Sequence, residues 1–442
     1  MTSLVRDIIV RVAFPAAGFL ATAITFGPGR MGFGLFLPAF RESFQLDTAT
    51  AGVIATMAFS GFLLALPIAG LLLSRFGPRL PVLVGGLAAA TGFVLVSIAG
   101  SVATLAAGVM LATSSAGFAW TPYNNAAERL VDQSHRTRTL SIISTGTTVG
   151  VAVAGALALV VAITGLGWRF AWGAFAVGAL IMTAVNLAAL RPVAGHSGPI
   201  PAAASGWRSM MRAETVPLAT AAISYGATSA VYLSFAVDLA TSSGALAFGS
   251  LDSAAPMIFI GFGIAGLVGV ATGEIENRIG LVSLVRVVFV AAAASHAALA
   301  LAPGQGSAIM LSAVLQGIVV MMTSAILSFW SVRLFPQIPS VSFTAVLIGV
   351  ALGSILGPVA AGWGGRRIRS GELVLVGCGD LSRDPAGHEF ALDRSRVEPP
   401  VAIGMAQWDE LCGARGSRSK PGPMARLRFV SPPRRLTLMS SP

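Results

Sequence analysis

The sequence predicts an all-α polytopic membrane protein, and three observations support this class. The chain has 442 residues, of which 55% are hydrophobic and 11% charged, and its mean hydropathy is +0.80. Soluble globular proteins carry about 25% charged residues, so this composition leaves too little polar surface to face water. Long apolar stretches recur along the chain, and the arginines lie between them.

Each apolar stretch is long enough to form a membrane-spanning helix. A helix needs roughly 20 apolar residues to cross a hydrocarbon core of about 30 Å. Eleven stretches meet this length, at 13–40, 49–73, 80–100, 103–124, 140–163, 169–190, 216–238, 253–272, 281–302, 306–330 and 341–363.

The arginines predict the orientation of the chain. Short cytoplasmic loops hold an excess of positive residues, and placing the N-terminus inside gives twelve cytoplasmic arginines against two outside. The two outside are Arg41 and Arg169. We therefore expect a multi-pass protein of the cell inner membrane with its N-terminus in the cytoplasm. The net charge of +11 does not predict nucleic-acid binding, because the basic residues are not gathered on one soluble face.

A polar connection divides the spans into six and five. Residues 191–215 contain three prolines, three glycines, three serines and three arginines. We expect an N-terminal six-helix bundle over 1–190, a cytoplasmic linker over 191–215 and a C-terminal bundle of five helices over 216–363.

Residues 364–442 form a separate, non-membrane tail. This segment is rich in arginine, glycine and proline, and it holds 13 basic and 8 acidic residues. We predict either a disordered tail or the product of a frameshift. Both cysteines, Cys378 and Cys412, lie here, so no disulfide and no cysteine-based metal site supports the membrane part. We expect no metal and no cofactor.

An offset of 203 residues relates the two halves. It brings two glycine- and arginine-containing patterns into register, which indicates a parallel duplication. The matched pairs are Gly70 with Gly273, Arg75 with Arg278, Gly77 with Gly280, Gly146 with Gly349, and Gly150 with Gly353. The sixth helix of the second half is then expected near 370–393, where the sequence is too polar to span a membrane.

The loop after the second span resembles the signature of the major facilitator superfamily of secondary transporters. Residues 70–79 follow the family's Gly-x-Leu-x-Asp-Arg-x-Gly-Arg-Arg spacing as far as Arg79, and residues 273–280 repeat it. The family's acidic residue is replaced by Ser74 and Asn277, and Glu276 is the candidate substitute. The resemblance implies two pseudo-repeated six-helix bundles, here with the twelfth helix missing and about eleven transmembrane helices.

Two spans carry small residues at every fourth position. Gly349, Gly353 and Gly357, followed by Pro358, form such a ridge in the eleventh span. Gly146 and Gly150 form a shorter one in the fifth. Ridges of this kind let another helix backbone approach closely, so we predict helix packing. Without a twelfth helix, we expect the ridge of the eleventh span to face lipid.

Arg30 is the first candidate for binding a substrate. It lies roughly 6 Å past the centre of the first span, at about 1.5 Å per residue. It also follows Gly27-Pro28-Gly29, which we expect to interrupt the helix and to free backbone groups toward a cavity. A cation at this depth is costly and suggests a site for an anionic group. The alternative is that Arg30 reaches back to the membrane interface or is neutralised by a neighbouring helix.

Further candidates for lining the substrate site are aromatic or polar residues of two spans. They are Trp120, Tyr123, Asn124, Tyr225 and Tyr232. Anchoring at the membrane interface explains the first group equally well, and core packing explains the two last tyrosines. His296 fits a satisfied core histidine better than a proton relay.

These features predict a secondary transporter that moves a small solute by alternating access. Arg30 favours a small organic anion, whereas the aromatic and methionine-rich spans favour efflux of amphipathic compounds. A truncated, non-functional permease is a further alternative. We expect small-molecule substrate and lipid bilayer as partners, a monomer, and no enzymatic activity, since no nucleophile with a matching base and no phosphate-binding loop is present in the body.

The predicted topology can be tested by cysteine labelling. Single cysteines are introduced into 74–79, 126–139, 191–215 and 273–280 after Cys378 and Cys412 are replaced by serine. A membrane-impermeant maleimide should label these positions in inverted vesicles and not in intact cells, because all four loops hold the arginine excess. Labelling of any of them from outside intact cells would contradict the orientation.

Overall fold

The chain is almost entirely helical, and the predicted all-α class is confirmed. The computed structural model describes residues 12–191, 212–248, 251–335 and 338–364. Within these ranges the strands are limited to Ala247–Phe248 and Leu251–Asp252, which pair antiparallel.

Two predicted segments lie outside the described residues. These are most of the linker, 192–211, and the tail after residue 364. The nature of the tail and the missing twelfth helix are therefore still predictions.

In the N-terminal half, defined here as residues 12–191, the first predicted span consists of three consecutive helical segments. The order is α1 Phe14–Ile24, a π-helical turn Thr25–Gly29, α2 Arg30–Phe44, α3 Thr48–Phe76, α4 Arg79–Ser97, α5 Val102–Ser114, a 3-10 turn Ser115–Phe118, α6 Trp120–Leu130, α7 Gln133–Thr164 and α8 Trp168–Ala189.

The C-terminal half, defined as residues 212–364, repeats this arrangement of long helices. A 3-10 turn Ala213–Thr215 precedes it, and the order is α9 Val216–Ser243, the strand pair, α10 Ala254–Gly266, a 3-10 turn Leu267–Ala271, α11 Thr272–Ile279, α12 Leu281–Leu301, α13 Gly306–Leu334 and α14 Pro339–Gly364.

Ten helical stretches in the described part of the chain are long and apolar enough to cross a membrane. They coincide with the second to eleventh predicted spans, with ends that differ by a few residues. The first predicted span lacks a single long helix because the π turn divides it into α1 and α2, which together still run from residue 14 to 44.

Local side chains and glycines set several helix ends. The Asp47 carboxylate accepts a hydrogen bond from the Thr50 amide at 2.7 Å and caps α3. The ends of α3 and α11 are formed by Gly77 and Gly280, with φ of 77° and 80°, a region that favours glycine. The 203-residue offset therefore relates two turns of the same backbone conformation.

An aromatic cluster packs α2 against α4 and α8 in the N-terminal half. The rings of Phe40 and Trp168 lie edge to face with centroids 5.0 Å apart, and Trp172 contacts Phe93 at 5.7 Å. Trp172 and Phe93 are fully buried. Aromatic pairs of this geometry stabilise packing by about 0.5–1.5 kcal/mol beyond burial. The cluster holds α2, and with it Arg30, in a defined position.

Glycines bring two pairs of helices into backbone contact. A Cβ atom on Gly150 would overlap the Ala23 carbonyl oxygen, so α7 packs directly on α1. A Cβ atom on Gly353 would overlap the Ile223 carbonyl oxygen, so α14 packs directly on α9. Both contacts leave room for a hydrogen atom alone.

The same offset relates the partners of these glycines. Gly146 lies against Phe19, and Gly349 lies against Ala222, which is 203 residues further along. The expectation that the ridge of the eleventh span faces lipid is wrong. Gly353 and Gly357 face α9, because close backbone packing satisfies a small-residue ridge better than lipid chains do.

Substituting Gly353 by alanine should destabilise the protein. The added methyl group would overlap the Ile223 carbonyl oxygen and push α14 away from α9. Overpacking of this kind costs about 1–3 kcal/mol. The measurement is the melting temperature of purified protein in detergent, followed by intrinsic tryptophan fluorescence.

Gly173→Ala is the matched control. Gly173 lies inside α8, and no atom lies within 4 Å of the place that a Cβ atom would occupy there, so alanine should be neutral or stabilising by up to about 1 kcal/mol through helix propensity. Equal melting temperatures for the two variants would refute the packing argument.

Candidate functional site

The first membrane span changes its helical type next to Arg30. Pro28 lies inside a π-helical turn, Thr25–Gly29, and α2 begins at Arg30 without a gap. The expected interruption at Gly27-Pro28-Gly29 is therefore wrong in form. Proline lacks an N–H group, and the chain accommodates this by widening its turn rather than by ending the helix. Turns of this type are frequent at functional sites.

Neighbouring helices hold the π turn on two sides. A Cβ atom on Gly27 would lie 2.5 Å from the backbone of Gly150, so α7 touches the turn directly. On the other side, the Thr113 hydroxyl donates a hydrogen bond to the Gly29 carbonyl oxygen at 3.0 Å. The first residue after the turn, Arg30, is thereby held in place by backbone contacts.

Three phenyl rings surround the guanidinium group of Arg30. Its Cζ atom lies 5.0 Å from the ring centre of Phe62 and 5.8 Å from those of Phe26 and Phe59. Each ring attracts a cation through its electron-rich face, by about 0.5–2 kcal/mol depending on solvation. The rings thus stabilise Arg30 without neutralising its charge.

The Arg30 side chain lies deep in the protein and still keeps accessible surface. Its Nε atom is buried and has no hydrogen-bond partner, while the residue as a whole is half-buried. Among the described residues, no carboxylate forms an ion pair with Arg30. Arg30 therefore combines a buried, unpartnered nitrogen with residual accessible surface.

Tyr225 of α9 contributes from the opposite half. It lies close enough to Arg30 for electrostatic interaction, and it is buried. Its hydroxyl donates to the Val320 carbonyl oxygen at 3.1 Å and lies 3.3 Å from the Ser324 hydroxyl of α13. Arg30 and Tyr225 are therefore neighbours across the boundary between the halves.

Trp120 lies at the same boundary. Its ring meets that of Phe26 edge to face at 6.2 Å, and it packs on a cluster that also includes Leu347 and Ile348 of α14. Asn124 follows Trp120 by one helical turn on the same face of α6 and is half-buried. The structure thus brings Arg30, Trp120 and Tyr225 to the central boundary and places Asn124 beside them.

Tyr123 lies away from this boundary. It is fully buried inside the N-terminal half, its ring packs on Phe14, and its hydroxyl donates to the side-chain oxygen of Asn186. The Asn186 amide nitrogen in turn donates to the Ala17 carbonyl oxygen at 3.1 Å. This network joins α6, α8 and α1. Tyr123 therefore packs inside the N-terminal half and has no accessible surface.

Tyr232 lies in a polar cluster of the C-terminal half. Its hydroxyl accepts a hydrogen bond from Ser312 at 3.2 Å, and its ring lies 5.7 Å from the ring of His296. It is buried between α9, α12 and α13. Tyr225 and Tyr232 share one side of α9, but only Tyr225 is close to Arg30.

The first loop motif forms a tight turn between α3 and α4. Gly77 provides the left-handed residue, Arg75 is exposed, and Arg79 is half-buried with its Nε atom lacking a hydrogen-bond partner. Gly70 has open space around its Cβ position. The arginines of this motif thus remain near the helix ends, where they can mark the membrane side.

The second loop motif contains an ion pair inside the C-terminal half. The Arg333 guanidinium donates to the Glu276 carboxylate at 2.5 Å, which joins α11 to α13. Arg278 is exposed, Gly273 is half-buried and Gly280 forms the turn. Glu276 therefore binds an arginine of its own half.

An ion pair joins the two halves at one end of the bundle. Arg41 of α2 and Asp238 of α9 lie 2.7 Å apart and are partly exposed. One to two helical turns deeper, a Cβ atom on Gly34 would overlap the Leu233 carbonyl oxygen. The end of the bundle that holds these two contacts is called the Arg41 end. The helices α2 and α9 are in direct backbone contact there.

A second pair of helices, α7 and α10, meets across the boundary. A Cβ atom on Gly155 would lie 2.9 Å from Phe259, and one on Gly263 would lie 2.6 Å from the Ala152 amide nitrogen. Small residues thus bring the halves together on a second side. The described residues contain no group of three or more histidine, cysteine or acidic side chains that could hold a metal ion.

Some residues of the site were not predicted from the sequence. Phe59 and Phe62 lie three residues apart on α3, and this spacing places both on one helix face, but nothing in the sequence connects them to Arg30. Arg41 was expected on the outer side, and Asp238 is the last residue of the seventh predicted span, 216–238, so a shared depth was the available signal for their pairing.

Known transporters and one family model match this chain in fold or in sequence. Residues 19–365 match the family model described as Major Facilitator Superfamily. A variant of the nucleoside transporter NupG is 13% identical with a TM-score of 0.64, over 82% of this chain and 96% of that chain. A bacterial homologue of the human lysosomal transporter Spinster, inward-facing and unoccupied, is 16% identical with a TM-score of 0.63, over 85% and 86%.

These structural similarities concern the fold alone, because the sequence identities are low. No curated protein sequence gives a significant match. The family match extends over most of the membrane part, and the ten long apolar helices make this a multi-pass membrane protein. The chain belongs to the Major Facilitator Superfamily and functions in transmembrane transport.

Proposed function

We propose that this protein is a secondary transporter of small organic anions, with its binding site at Arg30. The observation that carries the proposal is a guanidinium group deep in the bundle that keeps accessible surface and that no carboxylate of the described residues neutralises. A charged group at bilayer depth costs at least about 2.5–3.5 kcal/mol. A carboxylate or sulfonate of a substrate would offset that cost on binding.

The aromatic residues around Arg30 indicate the chemistry of the part of the substrate that lies beyond its anionic group. Phe26, Phe59 and Phe62 surround the cation, and Trp120 extends the apolar wall toward α14. Such a surface favours an apolar or aromatic body attached to the anionic group. Efflux of amphipathic compounds is the second candidate function, and the same aromatic wall favours it.

The contacts at the Arg41 end support alternating access. The ion pair between Arg41 and Asp238 and the close contact of Gly34 with Leu233 hold the two halves together there. We infer that this end is the closed side of the transporter and that both contacts separate when the site opens toward it. The arginine pattern of the loops supports an outer location for this end, in the cell inner membrane with a cytoplasmic N-terminus.

The proposal also covers the partners, the oligomeric state and the domain boundaries of the transporter. The expected partners are the small-molecule substrate and the lipid bilayer, and we propose a monomer that does not bind nucleic acid and has no enzymatic activity. The two domains are proposed at 1–190 and 216–363, joined by the linker at 191–215. A truncated, non-functional permease is the competing hypothesis, and the binding measurement below distinguishes the two.

Replacing Arg30 by methionine should weaken the binding of benzenesulfonate. This probe carries a permanent anionic group on an aromatic ring, as the site requires. Loss of a hydrogen bond to a charged group costs about 1.5–3 kcal/mol, which makes the dissociation constant roughly 10- to 150-fold larger. Arg30→Lys should recover part of the affinity, since it restores the charge but not the planar fork of donors. Isothermal titration calorimetry on purified protein measures both.

Arg169→Met is the matched control. Arg169 also stacks on an aromatic ring, with its Cζ atom 4.2 Å from the Trp168 ring centre, but it lies at the start of α8 and donates a hydrogen bond to the Ala99 carbonyl oxygen within the N-terminal half. Its binding curve should equal that of the wild type. Unchanged affinity in Arg30→Met, or wild-type protein that does not bind the probe, contradicts the proposed site.

Neutralising Asp238 should loosen the Arg41 end. Spin labels at the exposed positions Gln45 and Ser242, one in each half, report its width. In Asp238→Asn the distance distribution should shift toward longer values. A partly exposed ion pair contributes about 0.2–1 kcal/mol, so the open population should rise by up to roughly fivefold. Pulsed electron paramagnetic resonance measures the distribution.

Two further variants make this measurement specific. Exchanging the charges, with Arg41→Asp and Asp238→Arg together, should restore the wild-type distances. Glu42→Gln removes an exposed carboxylate beside Arg41 and should change nothing. If Asp238→Asn shows the wild-type distribution, the ion pair does not close this end.

A further inference from the structure

His296 is a buried titratable side chain that the transport site does not use. It lies on α12, five residues before this helix ends at Leu301, and is 8% exposed. Its Nδ1 atom lies 2.8 Å from the Ala292 carbonyl oxygen of its own helix, and its Nε2 atom lies 3.4 Å from the Thr228 carbonyl oxygen of α9. Both ring nitrogens therefore face acceptors.

This arrangement distinguishes the two protonation states of the ring. Neutral imidazole has one N–H group, so one of its nitrogens would present a lone pair to a carbonyl oxygen. The imidazolium form has two N–H groups and donates to both Ala292 and Thr228. The pocket thus provides hydrogen-bond acceptors for an additional proton.

Polar groups surround His296 in a part of the molecule that is otherwise apolar. The Ser295 hydroxyl donates to the Ser312 carbonyl oxygen at 2.9 Å, and the Ser312 hydroxyl donates to Tyr232. The Gln316 side-chain oxygen, one turn further along α13, is buried and has no hydrogen-bond partner. Buried polar groups thus lie on the two helices, α12 and α13, that pack beside Tyr232 and His296.

A row of polar groups leads from this cluster to the substrate site. Residues Ser312, Gln316, Val320 and Ser324 follow one another at four-residue spacing on α13 and share one face. The Ser312 end contacts Tyr232, and the Val320 carbonyl and Ser324 hydroxyl contact Tyr225. Tyr225 is the residue that interacts with Arg30.

Few other titratable groups of the described chain face His296. Tyr232 faces it from α9, and Ser312 of α13, which does not titrate, contacts Tyr232 and Ser295. The charged groups on the packed helices lie elsewhere, toward helix ends: Asp238 on α9, paired with Arg41; Arg286 on α12; Arg333 on α13; and Glu274, Glu276 and Arg278 on α11. Protonation of the cluster is therefore a property of His296.

We propose that His296 binds the proton that is coupled to transport, through the pocket formed by Ala292, Thr228, Ser312 and Tyr232. The neutral ring takes up one proton from one side of the membrane, holds it as imidazolium with both N–H groups donated, and returns to the neutral form when the proton leaves to the other side. The coupling part rests on the proposed transport function; the proton site itself does not.

The positions of the acidic residues in the sequence favour His296 over a carboxylate as the proton-binding group. The ten acidic residues before residue 364 lie in loops or near the ends of the predicted spans. A proton carried at bilayer depth therefore requires another titratable side chain, and His296 is the histidine inside a predicted span. A single bound proton also balances the charge of a monovalent substrate anion.

Nuclear magnetic resonance tests the proton site without any substrate. Protein labelled with ¹⁵N-histidine is titrated in detergent between pH 5 and 8, and the His296 signals are assigned by their loss in His296→Gln. We expect the two ring nitrogens to move from neutral-tautomer shifts to imidazolium shifts within this range. His135→Gln, at an exposed position, is the matched assignment control. A ring that stays neutral, or stays charged, throughout overturns the proposal.

Transport in proteoliposomes tests the coupling. Radiolabelled benzenesulfonate is a strong acid and does not cross the bilayer in a neutral form, so a pH gradient acts on it only through the protein. With one proton per anion, a gradient of two pH units should drive accumulation of up to roughly 100-fold in wild type and in His135→Gln. His296→Gln should lose this gradient-driven accumulation, with a melting temperature that shows it is folded.

The outcomes separate the two proposals. Gradient-driven accumulation that persists in His296→Gln overturns the coupling role. If wild-type protein neither binds nor accumulates benzenesulfonate, the proposed function is wrong. The proton site is then tested by the magnetic resonance titration alone.

Discussion

The close backbone contact between α7 and the first span is the constraint on which the candidate site depends. Gly150 meets Ala23 at one turn of this span and Gly27 at the next, so two helices approach to the limit that side chains allow. Between lipid chains there is little hydrophobic force to join helices, and close packing of small residues has to provide the attraction. The π turn rests on this contact, and the direction of Arg30 follows from it.

The polar groups in the bundle differ in how completely their partners satisfy them. Arg41 and Asp238 neutralise each other at one end, and Glu276 is paired with Arg333. Arg30 has aromatic neighbours and no counter-ion among the described residues, and His296 has two acceptors for its nitrogens. The ion pairs hold the structure together, whereas Arg30 and His296 are the groups on which the proposed anion and proton sites rest.

The duplicated halves have diverged in chemistry while they keep their packing. Turns at Gly77 and Gly280 and the glycine contacts of α7 and α14 recur at the 203-residue offset. The same offset pairs His296 with Phe93, which is fully buried in the aromatic cluster, and Arg30 with Leu233, whose carbonyl lies against Gly34. One half therefore carries the cation and the other the histidine.

Much of the architecture follows from the sequence alone. Hydrophobic length determines the spans, and glycines with positive φ determine the turns, because these properties depend on neighbouring residues only. Tertiary contacts decided the site: the rings of Phe59 and Phe62 around Arg30, the internal bond of Tyr123 to Asn186, and the continuation of the first helix through a π turn. Whether a polar side chain in a membrane span is satisfied or left unpaired depends on which distant helix lies beside it, and no local pattern specifies that neighbour.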